Sequence, residues 1–304
     1  SRLVEDAPQA TFTIAGSPLV LPLFADTPRL EALIPMEKRP HGRHWFDLWR
    51  QVRGRRWGLV LDMRGSGLAR VLRARRRAIR HAPHPGAAPV HKVLEAAHVL
   101  RLDDDPPAPR LYVGEETAAA AARLLAKGSG PVLAIAPAAN WVGKAWAGER
   151  FGVLASRLLG EGGPLAGGRL LVLGAPGDRP AAEAARRGLP RAQVIDAVGR
   201  VDLLTAYAAL QQARLFVGND SGLMHMAAAA GAPTLGLFGP SDERLYAPWG
   251  PKGRAIRGKR SFADFLALDP ELNQALPHMR DLSVEAAFDA AAALIRDTEA
   301  DFDG

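Results

Sequence analysis

The sequence predicts an α/β protein with two domains, each built on a parallel sheet that helices cover. The first observation is length, because 304 residues suit two domains of about 150 residues each. The second is composition, because a hydrophobic fraction of 48% is ample for two cores. The third is the strict alternation of short apolar runs with stretches of helical period from residue 131 onward. This alternation favours parallel pairing, with helices on both faces of the sheet.

The second half of the chain has the clearer pattern of elements. Strands are predicted at 131–137, 169–178, 192–199, 214–220 and 233–240, the last of these being the final strand. Helices are predicted at 149–159, 180–188, 201–213, 221–231 and 283–297. Ser283 is the expected N-cap of the last helix.

The first half has a rougher pattern. Strand character is found at 11–16 and 56–66, a strand or a helix suits 96–102, and a surface loop suits 103–109. A helix over 115–130 ends in a cluster of glycines, so we place the domain boundary there, giving domains 1–127 and 128–304. Residues 1–8 have the character of a helix end, yet the first central strand of a doubly wound domain does not precede them. We therefore expect that strand upstream of Ser1, the alternative being a shortened chain.

Composition excludes several classes of protein. Without cysteine, the chain has no disulfide framework, no thiol catalysis and no cysteine metal site. No run approaches the ~18 apolar residues of a membrane span, and we expect no signal peptide. The net charge of +7 is uneven, because residues 50–80 contain eleven arginines and a single acid, Asp62. So local an excess of positive charge indicates an anionic partner.

The stretch "FVGNDSGLMHM" (216–226) places polar residues where a strand meets a helix. A helix N-terminus binds anions through its free N–H groups and its dipole. Asp220 or Ser221 can cap the helix, Gly222 lets a ligand approach the backbone, and His225 follows one turn later. Ordinary capping and a structural histidine are the alternative interpretation.

Two further strand ends carry polar residues. Lys144 follows the strand at 131–137 and suits a phosphate group, although a solvated loop lysine is the alternative. Asp178 ends the strand at 169–178 and suits nucleoside hydroxyls, although a turn aspartate is the alternative. Because parallel strands end at one edge of the sheet, these sites together predict a ligand of nucleotide size.

The block "VGNDSGLMHMAAAAGAPTLGLFGPSDERLYAPWGP" (217–251) resembles the signature of glycosyltransferase family 9, the heptosyltransferases of lipopolysaccharide core assembly. "IAPAANWVGKAWAGERF", "LVLGAPGD" and "WGLVLDMRGSGLAR" resemble other blocks of that family in the same order. The resemblance implies the GT-B architecture, in which two Rossmann-like domains face each other across a cleft. It also implies a C-terminal domain that binds a nucleotide sugar, typically ADP-heptose, and a last helix that packs back on the N-terminal domain.

The resemblance also implies roles for individual residues. Sugar and diphosphate would be contacted by Asp220, Ser221, Gly222 and His225, the sugar–phosphate end by Lys144, and the nucleoside by Asp178. Asn140 belongs to the phosphate region, but the Ala138-Ala139-Asn140 segment departs from the glycine or hydroxyl residues common in relatives. Transfer in the family is inverting and needs neither a metal nor another cofactor, which agrees with residues 103–105 ("DDD") forming a solvated loop.

The catalytic base is the main departure from the family pattern. The family's proposed base is an aspartate in a glycine–aspartate pair just ahead of a helix, and this block is absent from the sequence. Asp62, at the end of the strand in 56–66, is the substitute candidate, and structural capping is its alternative role. Lys144 and His225 remain the other catalytic candidates, because they can stabilise the charge of the leaving diphosphate.

The arginine-rich window predicts a basic amphipathic helix over 66–80. Leu68, Val71, Leu72 and Ile79 would share one face, and Arg70, Arg73, Arg77 and Arg80 another. The phosphates of a lipid A acceptor would suit Arg64, Arg70, Arg73 and Arg77, and an anionic membrane surface would be compatible. Nucleic acid is disfavoured, because no aromatic platform accompanies these arginines.

The leading hypothesis is an inverting, metal-independent glycosyltransferase. It would move heptose from ADP-heptose to the lipopolysaccharide inner core, in the cytoplasm and peripheral to the inner membrane. One alternative is a catalytically inactive protein of the same fold that binds a nucleotide sugar or lipid A. Another is a sugar-nucleotide epimerase of GT-B type.

Overall fold

The structure is a computed structural model that describes residues 1–82, 88–272 and 275–301. It divides into two compact units, Ser1–Tyr112 and Val113–Gly304. The described part of the first unit contains four α-helices and four strands. They are α1 (Arg2–Asp6), β1 (Phe12–Gly16), β2 (Leu30–Pro35), α2 (Arg43–Val52), β3 (Trp57–Asp62), α3 (Leu68–Val71), β4 (Ala74–Ile79) and α4 (Lys92–Val99).

The strands of the first unit form two parallel pairs, β1 with β2 and β3 with β4. The predicted strands at 11–16 and 56–66 correspond to β1 and β3. In the ambiguous segment 96–102, residues 96–99 are the last turn of helix α4. Both β2 and α2 were absent from the sequence-based expectations. Helix α2 buries Leu48 and Val52 against Leu72, which forms a small core beside the second strand pair.

The predicted basic helix over 66–80 is wrong. Helix α3 ends at Val71, the backbone is extended at Leu72, and the arginines after it lie on or beside strand β4. Two causes can be identified. Parallel pairing with β3 gives one edge of the β4 backbone its hydrogen-bond partners. Arg77 also donates to the carbonyls of Ala69 and Leu72, which closes the end of the short helix. The arginines therefore do not share one helical face.

The second unit is a doubly wound α/β unit. Its helices are α5 (Glu115–Leu125), α6 (Gly148–Leu159), α7 (Arg179–Arg186), α8 (Leu203–Leu210), α9 (Gly222–Ala229), α10 (Glu243–Tyr246), α11 (Phe262–Leu268) and α12 (Val284–Asp297). Its strands are β5 (Val132–Ala136), β6 (Arg169–Val172), β7 (Val194–Asp196), β8 (Leu215–Asn219), β9 (Thr234–Phe238) and β10 (Gly253–Arg257). The strand predicted at 233–240 is therefore not the last, because β10 follows it and pairs with it.

The order of the strands fixes where a ligand can bind. All neighbours in the six-stranded sheet are parallel, in the order β10-β9-β8-β5-β6-β7. The chain moves outward from β5 through β6 to β7 and then returns to place β8 on the other side of β5. The topological switch point is thus between β5 and β8, and open α/β sheets bind ligands outside the carboxyl ends of strands at such a point.

The core of the second unit joins the sheet to α6 and α12. Phe151, Leu154 and Leu158 of α6 are fully buried with side chains of β5, β6 and β8. Ala287, Ala291 and Leu294 of α12 lie in the same core, so the last helix packs against its own unit. Ser283 caps α12 as predicted, because its side chain accepts a hydrogen bond from the Ala286 N–H.

The division between the units differs from the predicted boundary at 127/128. Helix α5 packs extensively against α8, which places it in the second unit and moves the division to Tyr112/Val113. The glycine cluster after α5 is an internal turn, where the Arg169 guanidinium donates to the Lys127, Gly128 and Gly130 carbonyls. Over the described part of the chain, no helix has the length and apolar character of a membrane span.

Candidate functional site

The junction after β8 exposes the start of a helix. Strand β8 ends at Asn219, and α9 begins at Gly222 with Ser221 in the N-cap position. The Ser221 side chain does not cap the helix, and its buried Oγ has no hydrogen-bond partner among the described residues. A Cβ at Gly222 would meet nothing within 4 Å. The free N–H groups and the positive end of the dipole are therefore available to an anion.

An ion pair crosses the switch point beside this helix start. Lys144 lies in a short 3₁₀ turn, Val142–Lys144, that follows β5. Its Nζ is 2.6 Å from Oδ2 of Asp220, whose side chain is only 7% exposed. His225 Nε2 lies 3.9 Å from the other carboxylate oxygen, and the imidazole is 42% exposed. The structure thus brings together Lys144, Asp220 and His225, three of the residues predicted from the sequence.

Asn219 joins the two sides of the switch point, and the sequence analysis missed it as a site residue. Its side chain is fully buried. Its Oδ1 accepts from the Trp146 N–H at 3.0 Å, and its Nδ2 donates to the carbonyls of Pro137 at 2.9 Å and Ala138 at 3.3 Å. The amide therefore fixes both ends of the loop that carries Lys144. These partners are 73 to 82 residues away in sequence, so no local pattern could have identified them.

Aromatic packing supports the same loop. A Cβ at Gly143 would lie 2.5 Å from the Trp141 ring, so only glycine allows the indole to fold over the turn. The Trp141 ring is in turn 5.8 Å from the ring of buried His278. Trp146 is 1% exposed and donates its indole N–H to the Leu282 carbonyl at 2.9 Å. The loop is thereby attached to the segment that leads into α12.

The loop after β9 lies at the same edge of the sheet. Arg257, at the end of β10, donates to the carbonyls of Gly239 at 3.1 Å and Ser241 at 2.8 Å. The Ser241 side chain is buried, and its Oγ has no partner among the described residues. Ser221 Oγ and His278 Nε2 are also buried without a hydrogen-bond partner among the described residues. Because nearly all buried polar atoms in proteins are hydrogen-bonded, this concentration marks a polar edge.

The predicted nucleoside contact, Asp178, has a clear local function. Its Oδ2 accepts from the Ala175 N–H at 2.8 Å and so closes the turn after β6. This contact agrees with the alternative interpretation of Asp178 as a turn residue. Asn140 is exposed in the loop after β5, on the same edge of the sheet.

A cluster of arginines surrounds Asp196 at the end of β7. Arg179 Nη1 is 2.6 Å from Asp196 Oδ2, and Arg186 and Arg200 approach the same oxygen at 3.5 and 3.7 Å. Burial raises the pKa of Asp196, but hydrogen bonds from the Val198 N–H and the Arg179 guanidinium lower it, and the net pKa is below its ordinary value. Glu183 also lies 3.9 Å from Arg186, so three guanidiniums face two carboxylates and this corner keeps a positive charge.

Asp62 forms a structural cap in the first unit. Its Oδ1 accepts from the Arg64 N–H at 3.0 Å, and its Oδ2 accepts from the Ser66 N–H and hydroxyl, both at 2.9 Å. These hydrogen bonds match the alternative role given above and occupy the carboxylate that a catalytic base would need free.

The arginines predicted to contact the acceptor differ in their surroundings. Arg64, Arg70 and Arg73 are exposed, whereas the Arg77 guanidinium is engaged by backbone carbonyls. In the described residues, no group of three or more histidine, cysteine or acidic side chains is arranged to hold a metal ion.

Comparison with known proteins identifies one family. Residues 48–273 match the model of glycosyltransferase family 9 (heptosyltransferase). Lipooligosaccharide heptosyltransferase 2 of Haemophilus influenzae is 31% identical over 134 residues, which are 43% of this chain and 37% of that protein. The chain thus matches little more than a third of the length of this curated relative.

Solved structures extend the likeness to nearly the whole chain. The Escherichia coli ADP-heptose lipopolysaccharide heptosyltransferase II superposes with a TM-score of 0.73 at 21% identity, covering 98% of this chain and 93% of that one. A family 9 glycosyltransferase from Veillonella parvula superposes with a TM-score of 0.77 at 19% identity, covering 97% and 91%. At such identities the likeness concerns the fold, and it confirms the predicted α/β fold of the GT-B class.

Proposed function

The chain belongs to glycosyltransferase family 9, the heptosyltransferase family, and on that premise we propose that it is an inverting glycosyltransferase. The proposed donor is ADP-heptose, and the proposed acceptor is a hydroxyl of the lipopolysaccharide inner core. The proposed location is the cytoplasm, peripheral to the inner membrane. The observation that carries the proposal is the Lys144–Asp220 ion pair beside the uncapped start of α9, at the switch point of the sheet.

Charge decides how the donor would bind. The diphosphate lies at the N-terminus of α9, where Lys144 supplies a positive charge and Gly222 permits close approach to the backbone. Lys144 then pairs with the diphosphate in place of Asp220. The Asp220 carboxylate can therefore accept hydrogen bonds from hydroxyls of the sugar. His225 is one turn further along α9 and contacts the same sugar–phosphate end. Asn140 and Asp178, on the neighbouring strand ends, are proposed contacts of the phosphate and nucleoside.

Transfer requires two changes of charge. The acceptor hydroxyl gives its proton to a carboxylate base and attacks the anomeric carbon opposite the leaving ADP, which inverts the configuration. Negative charge then develops on the diphosphate, and Lys144, the α9 dipole and a hydrogen bond from His225 stabilise it. We assign no described residue as the base, since Asp62 already accepts three hydrogen bonds. The exposed Arg64, Arg70 and Arg73 are proposed contacts of acceptor phosphates.

The test combines binding with turnover. The protein is titrated with ADP by calorimetry and then incubated with ADP-heptose and heptose-free lipopolysaccharide, with release of ADP and acceptor mass as readouts. We expect ADP binding, transfer of one heptose, and an unchanged rate after treatment with EDTA. Failure to bind ADP would overturn the proposal.

Two other outcomes separate the alternatives. Binding of ADP without transfer to any acceptor would identify a catalytically inactive binding protein. Conversion of the donor sugar in the absence of acceptor would identify an epimerase.

A further inference from the structure

Helix α2 presents a basic and aromatic face to solvent. Arg43, Phe46, Arg50 and Arg53 follow one another at intervals of three and four residues, which places them on one side of the helix and its C-terminal cap. The Phe46 side chain is 57% exposed, and all three arginines are exposed. We call these four residues the α2 face.

The opposite side of α2 holds the helix in place. Leu48 and Val52 are buried with Leu72, so the orientation of the helix is fixed by its core. The Phe46 ring stacks on Trp49 at a centroid distance of 5.6 Å, and the Arg53 guanidinium lies 4.6 Å from the centre of a Trp49 ring. The exposed phenyl group is therefore supported from below by a fixed indole.

The charge of the α2 face is not neutralised within the described residues. Arg43, Arg50 and Arg53 have no carboxylate within ion-pair distance there. The one acid of the helix, Asp47, pairs with Arg39 at 3.1 Å. Other exposed arginines of the same unit also lack a described carboxylate partner: Arg56, Arg64, Arg70, Arg73, Arg75 and Arg76.

We propose that the α2 face docks on the surface of an anionic lipid bilayer. The phenyl group of Phe46 enters the boundary between headgroups and acyl chains, and the arginines contact lipid phosphates. Single-stranded nucleic acid is a poorer fit, because base stacking needs free ring faces and the Trp49 ring already contacts Phe46 and Arg53. The inference rests on the proposed function, which includes a location peripheral to the inner membrane, and it adds the surface that contacts the bilayer.

Vesicle flotation with the full chain tests the inference without donor or acceptor. Vesicles of phosphatidylglycerol and phosphatidylcholine are compared with vesicles of phosphatidylcholine alone at low ionic strength. We expect binding to the anionic vesicles only, weakened by added salt. The triple variant Arg43→Gln/Arg50→Gln/Arg53→Gln should lose about a hundredfold in partition coefficient. Phe46→Ala should lose about tenfold, because apolar area no longer enters the bilayer.

Matched controls make the test specific. Arg123→Gln/Arg187→Gln/Arg191→Gln removes the same charge from exposed sites of the second unit, and Val153→Ala trims an exposed apolar side chain there. Both should bind vesicles like the unmodified protein, and far-ultraviolet circular dichroism checks that every variant is folded. Equal losses in the α2 variants and the controls would overturn the proposal. So would a loss of oligonucleotide binding in the α2 variants with vesicle binding retained.

The same variants distinguish this inference from the proposed function. Heptose transfer to a water-soluble core oligosaccharide should be unchanged in the α2 variants, because no bilayer is involved. A protein that binds vesicles through α2 but fails to transfer heptose would leave the docking surface intact and refute only the transferase.

Discussion

The ammonium group of Lys144 lies 2.6 Å from Oδ2 of Asp220 and joins the loop after β5 to the junction after β8. Its position at the switch point gives the pair two functions. It neutralises a carboxylate that is only 7% exposed, and it holds a cation beside the free N–H groups at the start of α9. We therefore expect stability and donor binding to depend on the same two side chains, and a double-mutant cycle can separate the two effects.

Replacing Lys144 should reduce both properties. In Lys144→Gln, Asp220 keeps its charge without a counter-ion, so the free energy of unfolding should fall by about 2 kcal/mol. Loss of the cation near the diphosphate should lower kcat/KM for heptose transfer by about a hundredfold. The double variant Lys144→Gln/Asp220→Asn should recover most of the stability, because no unpaired charge remains, but not the transfer rate. Denaturant unfolding and steady-state kinetics measure the two effects.

Lys38→Gln removes an equal charge from an exposed site and serves as the control for this cycle. It should match the unmodified protein in both measurements. Transfer by Lys144→Gln within threefold of the unmodified rate would place the lysine outside the donor site.

Asn219 should be essential for folding of the site. In Asn219→Asp, the carbonyls of Pro137 and Ala138 lose their donor and face a buried oxygen instead. We expect a loss of about 3 kcal/mol in the free energy of unfolding, together with weaker ADP binding because the Lys144 loop is released. Gln211→Glu makes the same chemical change at an exposed amide and should cost less than 0.5 kcal/mol, as is roughly usual for surface substitutions. A similar small loss for Asn219→Asp would show that other contacts hold the loop.

How much of this site the sequence predicted depends on how far apart in the chain the interacting residues lie. The helix start at 219–225 was predicted because strand, polar junction and helix are consecutive in the chain. The proximity of Lys144 to Asp220 also followed, since parallel strands end at one edge. The part played by Asn219 did not, because its partners belong to a loop whose position only the folded sheet determines.

The arginine-rich segment 66–80 is where a local sequence pattern gave a wrong prediction. Leu68, Val71 and Leu72 have helical spacing, and this pattern predicted a helix through 66–80. Pairing with β3 decided the conformation instead, so Arg76 lies opposite Leu59 in a strand ladder. Helical propensity is a weak preference that tertiary contacts override. Among the described residues, helix α2 (43–52) is basic and amphipathic. Its apolar residues Trp45, Leu48, Trp49 and Val52 have helical spacing in the sequence, and this pattern was missed.

Gly143 should tolerate no side chain. A methyl group there would lie 2.5 Å from the Trp141 ring, so Gly143→Ala must displace the indole or the turn that ends in Lys144. We expect a loss of about 2 kcal/mol in stability and a higher KM for the donor. Gly54→Ala is the matched control, because a Cβ at Gly54 meets nothing within 4 Å. Thermal unfolding and donor titration are measured for both variants. Equal stability and equal donor affinity would mean that the Trp141 ring moves aside without loss of stability.

Asp196 should make the stability of the protein depend on acid pH. Its pKa is lower in the folded protein than the ordinary value of about 3.9 for an unfolded aspartate, because the Val198 N–H and Arg179 stabilise the carboxylate against the opposing effect of burial. A depressed folded pKa stabilises the protein above the unfolded pKa, and that contribution is lost as pH falls through the folded pKa. Asp196→Asn should therefore cost about 2 kcal/mol at pH 7.

The difference between Asp196→Asn and the unmodified protein should begin to shrink near pH 4, where the unfolded aspartate takes up its proton. It should vanish only below the lower folded pKa, where the carboxyl is neutral like the amide. Denaturant unfolding at pH 7, 5, 4 and 3 follows this convergence. The exposed Asp104→Asn variant changes the same charge and should unfold like the unmodified protein at every pH. A difference that stayed constant down to pH 3 would mean that Asp196 stabilises the end of β7 by shape and packing, with its charge playing no part.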